Sequence, residues 1–152
     1  MKKFLMVLGS IAALALATQP AAAKGMGVYA GFCTNPDDFM FGLHWMKPLP
    51  DIAEGLYLVP SVEAGFGDVT MLAGNLDLHY RFKSSSATKF YAGGGITLNW
   101  FDFDGGSSTD FGGSVLGGIL LKANSKGKQP FFEAKLGLGD VPDAKFTVGL
   151  NF

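Results

Sequence analysis

Few side chains in this sequence could do covalent or metal chemistry, and their spacing argues against most of it. Histidine occurs only at His44 and His79. They fall on separate strand-like segments, and a metal site needs three or four converging ligands, so no metal is expected. Cys33 is the only cysteine. It cannot close an internal disulfide, and no base beside it would make it a nucleophile. Gly93-Gly94-Gly95, Gly112-Gly113 and Gly117-Gly118 carry no following Gly-Lys-Ser/Thr and no helix, so they are not a phosphate loop. Their predicted role is to let strands bend and to make room for inward rings such as Tyr91 and Phe101. The turn acids lack the spacing of an EF-hand loop and read as solvated. What remains is a set of charges of both signs on strand-like segments: Glu63, Asp77, His79, Arg81, Glu133, Lys135 and Lys145. Their chemistry is mutual pairing in an interior where a lone charge is costly. No catalytic residue and no cofactor is expected. A hydrolytic arrangement such as Ser61 with His44 and Glu63 stays open.

The elements that must position this set have a period of two. In 69–83, Leu72, Gly74, Leu76, Leu78, Tyr80 and Phe82 alternate with Ala73, Asn75, Asp77, His79 and Arg81. Such alternation marks a strand with one apolar and one polar face. The same pattern places Leu56, Leu58, Val62, Ala64 and Phe66 against Tyr57, Ser61 and Glu63. It places Phe90, Ala92, Ile96, Leu98 and Trp100 against Tyr91, Thr97 and Asn99. Phe111, Val115, Ile119 and Leu121 oppose Ser114 and Lys122; Phe132, Ala134, Leu136 and Leu138 oppose Glu133 and Lys135. Phe146, Val148, Leu150 and Phe152 oppose Lys145, Thr147 and Asn151. Met26 to Phe32 and Phe39 to Trp45 complete eight strands. The links are short and turn-rich, as at Asn35-Pro36-Asp37 and Asp140-Val141-Pro142, so neighbours are predicted to be antiparallel. Asp102–Asp110 reads as the longest loop. Pro60 inside the third strand removes a ladder donor and predicts a bulge.

The chain has 152 residues, with 22 glycines, 13% aromatics, 16% charged residues and a net charge of −1. This excludes a disordered polar chain, a coiled coil or collagen, and gives no electrostatic reason to expect nucleic acid. Met1-Lys2-Lys3, an apolar run and Ala21-Ala22-Ala23 follow the order of a cleavable secretory signal. The predicted division is a signal peptide at 1–23 and one β domain at 24–152. The apolar run is too short for a spanning helix, and none follows it.

Eight antiparallel strands can bury their apolar face or present it to lipid. Three features favour lipid: the charges of the polar face, aromatics at strand ends such as Trp45, Tyr80, Phe90, Trp100 and Phe152, and strand lengths suited to a tilted bilayer crossing. The charges also sort by end. Asp37, Asp38, Asp68, Asp102, Asp104, Asp110, Asp140 and Asp143 fall at the end away from both termini. Lys24, Lys47, Lys83, Lys89, Lys122, Lys126 and Lys128, with Asp51 and Glu54, fall at the terminal end.

With its signal, its eight alternating segments, Phe90-Tyr91-Ala92-Gly93-Gly94-Gly95-Ile96 and its ending Phe146 to Phe152, the sequence resembles the small eight-stranded outer-membrane barrels related to the transmembrane domain of outer-membrane protein A. The resemblance implies an all-β, up-and-down transmembrane barrel in a bacterial outer membrane. It implies outer-membrane lipids as surroundings, and periplasmic chaperones and the barrel-assembly machinery as biogenesis partners. Phe146, Val148, Leu150 and Phe152 are similar to the family's assembly signal. The hydrolases among such barrels carry a Ser two residues after a His, whereas Arg81 follows His79 and Met46 follows His44. The loops are shorter than the family's usual ones, which argues against an adhesin or receptor role, and no periplasmic peptidoglycan-binding domain is expected. Eight strands leave an interior filled by side chains, and the expectation is a structural, non-enzymatic, monomeric envelope protein. Two alternatives stand beside it: a narrow channel for small solutes, and a secreted soluble barrel binding a small apolar ligand.

Overall fold

Residues 25–67, 69–103 and 105–152 are described by a computed structural model of the chain. The predicted signal 1–23 lies outside the described residues, as do Lys24, Asp68 and Asp104. Eight strands form a closed antiparallel barrel. They are β1 (Met26–Thr34), β2 (Asp38–Trp45, continued by Lys47–Pro48), β3 (Leu56–Gly67), β4 (Thr70–Arg81), β5 (Lys89–Phe103), β6 (Gly106–Leu120), β7 (Gln129–Gly139) and β8 (Ala144–Asn151). Each pairs with its neighbour in sequence, and β8 returns to β1 through pairs such as Ala30 with Val148. Closure leaves no open sheet edge.

The register carries the tilt. Paired residues run from Cys33 through Lys145, Lys135, Leu116, Gly93, His79 and Tyr57 to Pro48. Pro48 lies beyond Trp45, the partner of Met26. The path therefore meets β1 about ten residues below its start, the stagger that a tilted eight-stranded barrel requires.

Two local expectations change. Pro60 causes no bulge: it sits opposite Leu76 in an unbroken register with β4. On its other side the ladder with β2 is interrupted between His44 and Lys47 while the register is kept. The missing N–H is thus absorbed as a gap in one ladder. The predicted loop 102–110 is mostly strand, with Asp102 opposite Ser107 and Phe103 opposite Gly106. Gly105, at φ +132°, permits the sharp turn there.

Candidate functional site

The two faces of the strands differ in chemistry. Outward residues are apolar and exposed, among them Phe39, Phe41, Leu76, Leu78, Ile96, Leu98, Leu136 and Phe146. The only exposed charged strand residues among those described are Lys47, Lys89 and Asp102, all near strand ends. Trp45, Tyr80, Phe90 and Phe152 lie toward the end that holds the described termini, and Phe66, Trp100 and Phe111 toward the other.

The lumen is layered. Toward the acidic end Cys33, Met40, Met71 and Phe101 form a buried apolar cluster, with Tyr29 and Val69 against it. Toward the lysine end Tyr91, Leu116, Leu120 and Phe131 form a second, also touching Tyr29. Polar side chains fill the space between. Lys145 Nζ donates to Glu63 Oε2 at 2.5 Å, and Tyr29 Oη donates to Glu63 Oε1 at 2.9 Å. Lys135 Nζ donates to Asp77 Oδ2 at 2.6 Å. The four ion-pair side chains are only 3–6% exposed. Burying such charges is costly, and their attraction offsets that cost only when the geometry is good and further hydrogen bonds are made. Tyr29 supplies one of these for Glu63.

Glu133 accepts from Tyr91 Oη at 2.8 Å, and His79 Nε2 lies 3.9 Å from its Oε2. The His79 ring stacks on Tyr91 at 5.0 Å between centroids. Thr97 Oγ1 donates to Asn75 Oδ1 at 2.7 Å, and Asn75 Nδ2 donates to Ser61 Oγ at 3.0 Å. His44 Nε2 meets Asn151 Oδ1 at 2.8 Å. Two internal cavities within this layer are about 10 Å³ each, at the threshold for a single water.

Glycines opposite rings make this packing possible. Tyr29 is paired with Gly42, Tyr91 with Gly118 and Phe131 with Gly149. A β-carbon at any of the three glycines would collide with the ring opposite. Phe101, by contrast, is opposite Ser108 rather than a glycine.

The structure therefore brings six of the seven sequence-derived charges together: Glu63, Asp77, His79, Glu133, Lys135 and Lys145. Arg81 is elsewhere. It lies at the lysine-end mouth, 4.0 Å from the Tyr57 ring centroid, with Nη2 2.8 Å from Met46 Sδ. Its parity is inward, but it is the last residue of β4 and makes no ion pair within 4.0 Å among the described residues, although it lines one small cavity together with His79, Tyr91 and Glu133. Asp38 also departs from its predicted turn position: it is fully buried at the start of β2, with Oδ1 3.5 Å from the Val69 amide nitrogen. Sequence reasoning missed the inward apolar residues Met40, Met71, Leu116, Leu120 and Phe131. Their even spacing from neighbouring inward polar residues was the available signal.

The candidate triad is not assembled as a relay. Ser61 accepts from Asn75, His44 meets Asn151, and the Glu63 oxygens are taken by Tyr29 and Lys145. Among the described residues, no three His, Cys, Asp or Glu converge on a common metal position. Phe146, Val148, Leu150 and Phe152 all face outward on or beside β8, the strand that closes on β1. The Phe152 amide donates to Met26 O at 2.8 Å.

Outside the apolar belt, Lys83 Nζ donates to Glu54 Oε2 at 2.7 Å, with both side chains largely in solvent. The hydrogen bond and the neighbouring ammonium hold the Glu54 carboxyl below its ordinary pKa, and the same contact raises that of Lys83.

No family model matches the chain, and no curated protein matches it. Among solved structures, Neisserial surface protein A is similar with a TM-score of 0.64 at 14% identity, over 82% of this chain and 92% of that one. The N-terminal β-barrel domain of Pseudomonas aeruginosa OprF is similar with a TM-score of 0.59 at 14% identity, over 85% and 98%. At these identities the likeness is one of fold: the chain has the fold of the eight-stranded outer-membrane barrels.

Proposed function

We propose that the protein is an integral barrel of a bacterial outer membrane with a structural role in the envelope, its lumen closed by its own side chains. The observation that carries the reading is the inversion of the strands. Large apolar residues cover the outward face, and the paired charges are inside. An arginine or lysine facing lipid at the midplane costs roughly 2–4 kcal/mol. A soluble barrel has no reason to clear charges from its outer face. Closure adds a second requirement of lipid, because every strand finds a neighbour for its backbone groups. The fold shared with Neisserial surface protein A and the OprF β-barrel domain supports the same placement.

The narrow-channel reading finds less support, since apolar clusters occupy both ends of the lumen and the cavities between them are near the size of one water. The proposed role is non-enzymatic and needs no cofactor. Export by residues 1–23, passage with periplasmic chaperones, and insertion by machinery that reads Phe146, Val148, Leu150 and Phe152 belong to the same proposal, as does a monomeric state. The test is to refold the purified chain into detergent and compare boiled with unboiled mobility, then record conductance in planar bilayers. The expected result is a heat-modifiable band with conductance far below that of a porin. Folding without detergent would overturn the membrane reading, and large ohmic steps would overturn the closed lumen.

A further inference from the structure

The charged groups outside the barrel wall are unevenly placed. The acidic end presents Asp37, Asp102, Asp140 and Asp143 as exposed residues, with Asp110 half-buried. The opposite end presents Lys47, Lys83, Lys89, Lys122 and Lys126 as exposed residues, with Lys128 half-buried, against the exposed Asp51 and Glu54. Among the described residues, Lys83 is the only one of these six lysines with a carboxylate within 4.0 Å. The other five have no carboxylate within that distance among the described residues.

Their depth is fixed by their neighbours. Lys47 follows Trp45 by two residues, Lys83 adjoins Phe82, Lys89 adjoins Phe90, and Lys122 adjoins Leu121. Trp45, Phe82 and Phe90 are exposed members of the apolar wall. Lys128 Nζ lies 5.0 Å from the ring centroid of Phe152. Aromatic side chains at the end of a lipid-facing belt lie at headgroup level. Lysine stems can run along such a surface and deliver their ammonium groups just beyond it. Lys47, Lys83, Lys89, Lys122 and Lys128 thus form a collar around one rim, at the depth where lipid phosphates lie. Among the described residues only Lys83 of these has a carboxylate within 4.0 Å, so the collar complements an anionic headgroup layer.

We infer that this collar recruits anionic phospholipid headgroups to the leaflet at the lysine end, while the acidic end does not. The inference rests on the membrane reading above and adds a lipid class and a side to it. The chain contains two tryptophans, and they suit the test because Trp45 lies near the lysine end and Trp100 near the acidic end. Trp100→Phe and Trp45→Phe each leave one reporter.

The probe is quenching of each tryptophan in vesicles of equimolar phosphatidylglycerol and phosphatidylcholine, with one lipid and then the other brominated in its acyl chains. Because both leaflets have the same composition, the direction of insertion does not matter. At low salt Trp45 is expected to show a preference for phosphatidylglycerol of about fivefold or more, the size expected for one lysine near an anionic surface. That preference should vanish in high salt, where screening shortens the reach of exposed charges. It should also vanish in the triple variant Lys47→Gln, Lys83→Gln, Lys89→Gln. Trp100 should show none. Heat-modifiability of the triple variant establishes that it is folded. Equal quenching of Trp45 by both lipids, or the same preference at Trp100, would overturn the collar. An absence of quenching by either lipid at either tryptophan would instead overturn the membrane reading itself.

Discussion

Lys83 and Glu54 make a contact almost as short as those in the lumen, 2.7 Å against 2.6 Å for Lys135–Asp77 and 2.5 Å for Lys145–Glu63. The surroundings are opposite. The side chains of the first pair are 74% and 80% exposed, while those of the lumenal pairs are 3–6% exposed. Distance alone therefore says little about what a pair contributes. Water and salt can replace either partner of the exposed pair. Nothing can replace a partner in the lumen, so each lumenal charge depends on the one it faces. The lumenal pairs join strands far apart in sequence, β3 to β8 and β4 to β7. They hold opposite parts of the wall, whereas Lys83 and Glu54 join two neighbouring turns.

The sharpest way to break this contrast is to remove one lumenal partner. Lys135→Met leaves the Asp77 carboxylate buried without its cation, and the expected loss is about 3–5 kcal/mol of unfolding free energy, read from urea titrations in detergent. Lys126→Met, in an exposed turn, serves as its control and should leave the midpoint in place. A second break approaches from the outer face. Leu76→Arg, at the middle of β4, puts a charge into the wall with no partner and should lose roughly 2–4 kcal/mol in the same titration. Replacing both members of the lumenal pair, as Asp77→Leu with Lys135→Met, sharpens the comparison. The double variant should lose less than Lys135→Met alone, because removing both charges also removes the desolvation cost. A double variant worse than the single would mean that the pair is needed as a pair.

The smallest effect belongs to the exposed contact. Lys83→Met should not move the midpoint measurably. The pH dependence of this pair has a fixed sign. The Glu54 carboxyl is held below its ordinary pKa, so whatever the contact contributes is present above the unfolded-state value and lost as pH falls through the lowered one. Any residual difference between Lys83→Met and the parent chain should therefore be confined to neutral pH, and a difference that grows at acid pH would contradict this.

Much of the fold was legible because a strand alternates its faces strictly. Leu76 and Leu78 fall outside and Asp77 and His79 inside on the same few residues. What alternation cannot say is which apolar residues are core, since the outer face is apolar too. Met40, Met71, Leu116, Leu120 and Phe131 share inward parity with polar neighbours, and hydrophobicity alone would have put them outside. The partners within the lumen were also hidden. Glu63 meets Lys145 and Asp77 meets Lys135 only once the stagger of the closed barrel sets their levels. Arg81 shows the same limit: parity pointed it inward, while its place at the end of β4 brings it to Tyr57 and Met46. The hairpin built from 102–110 reads as a loop because its Gly, Ser and Asp residues dominate the composition, yet its backbone groups find partners across the turn.

The central claim is that one face of each strand meets lipid and the other meets a closed interior, and β4 tests it most directly. In a Cys33→Ala background, single cysteines at 76, 77, 78 and 79 carry a nitroxide in lipid vesicles, and its collisions with oxygen and with a polar relaxant are measured. The account predicts high oxygen accessibility at 76 and 78 and little access to either reagent at 77 and 79, in strict alternation. A uniform profile across the four positions, or polar-relaxant access greatest at 76 and 78, would contradict it.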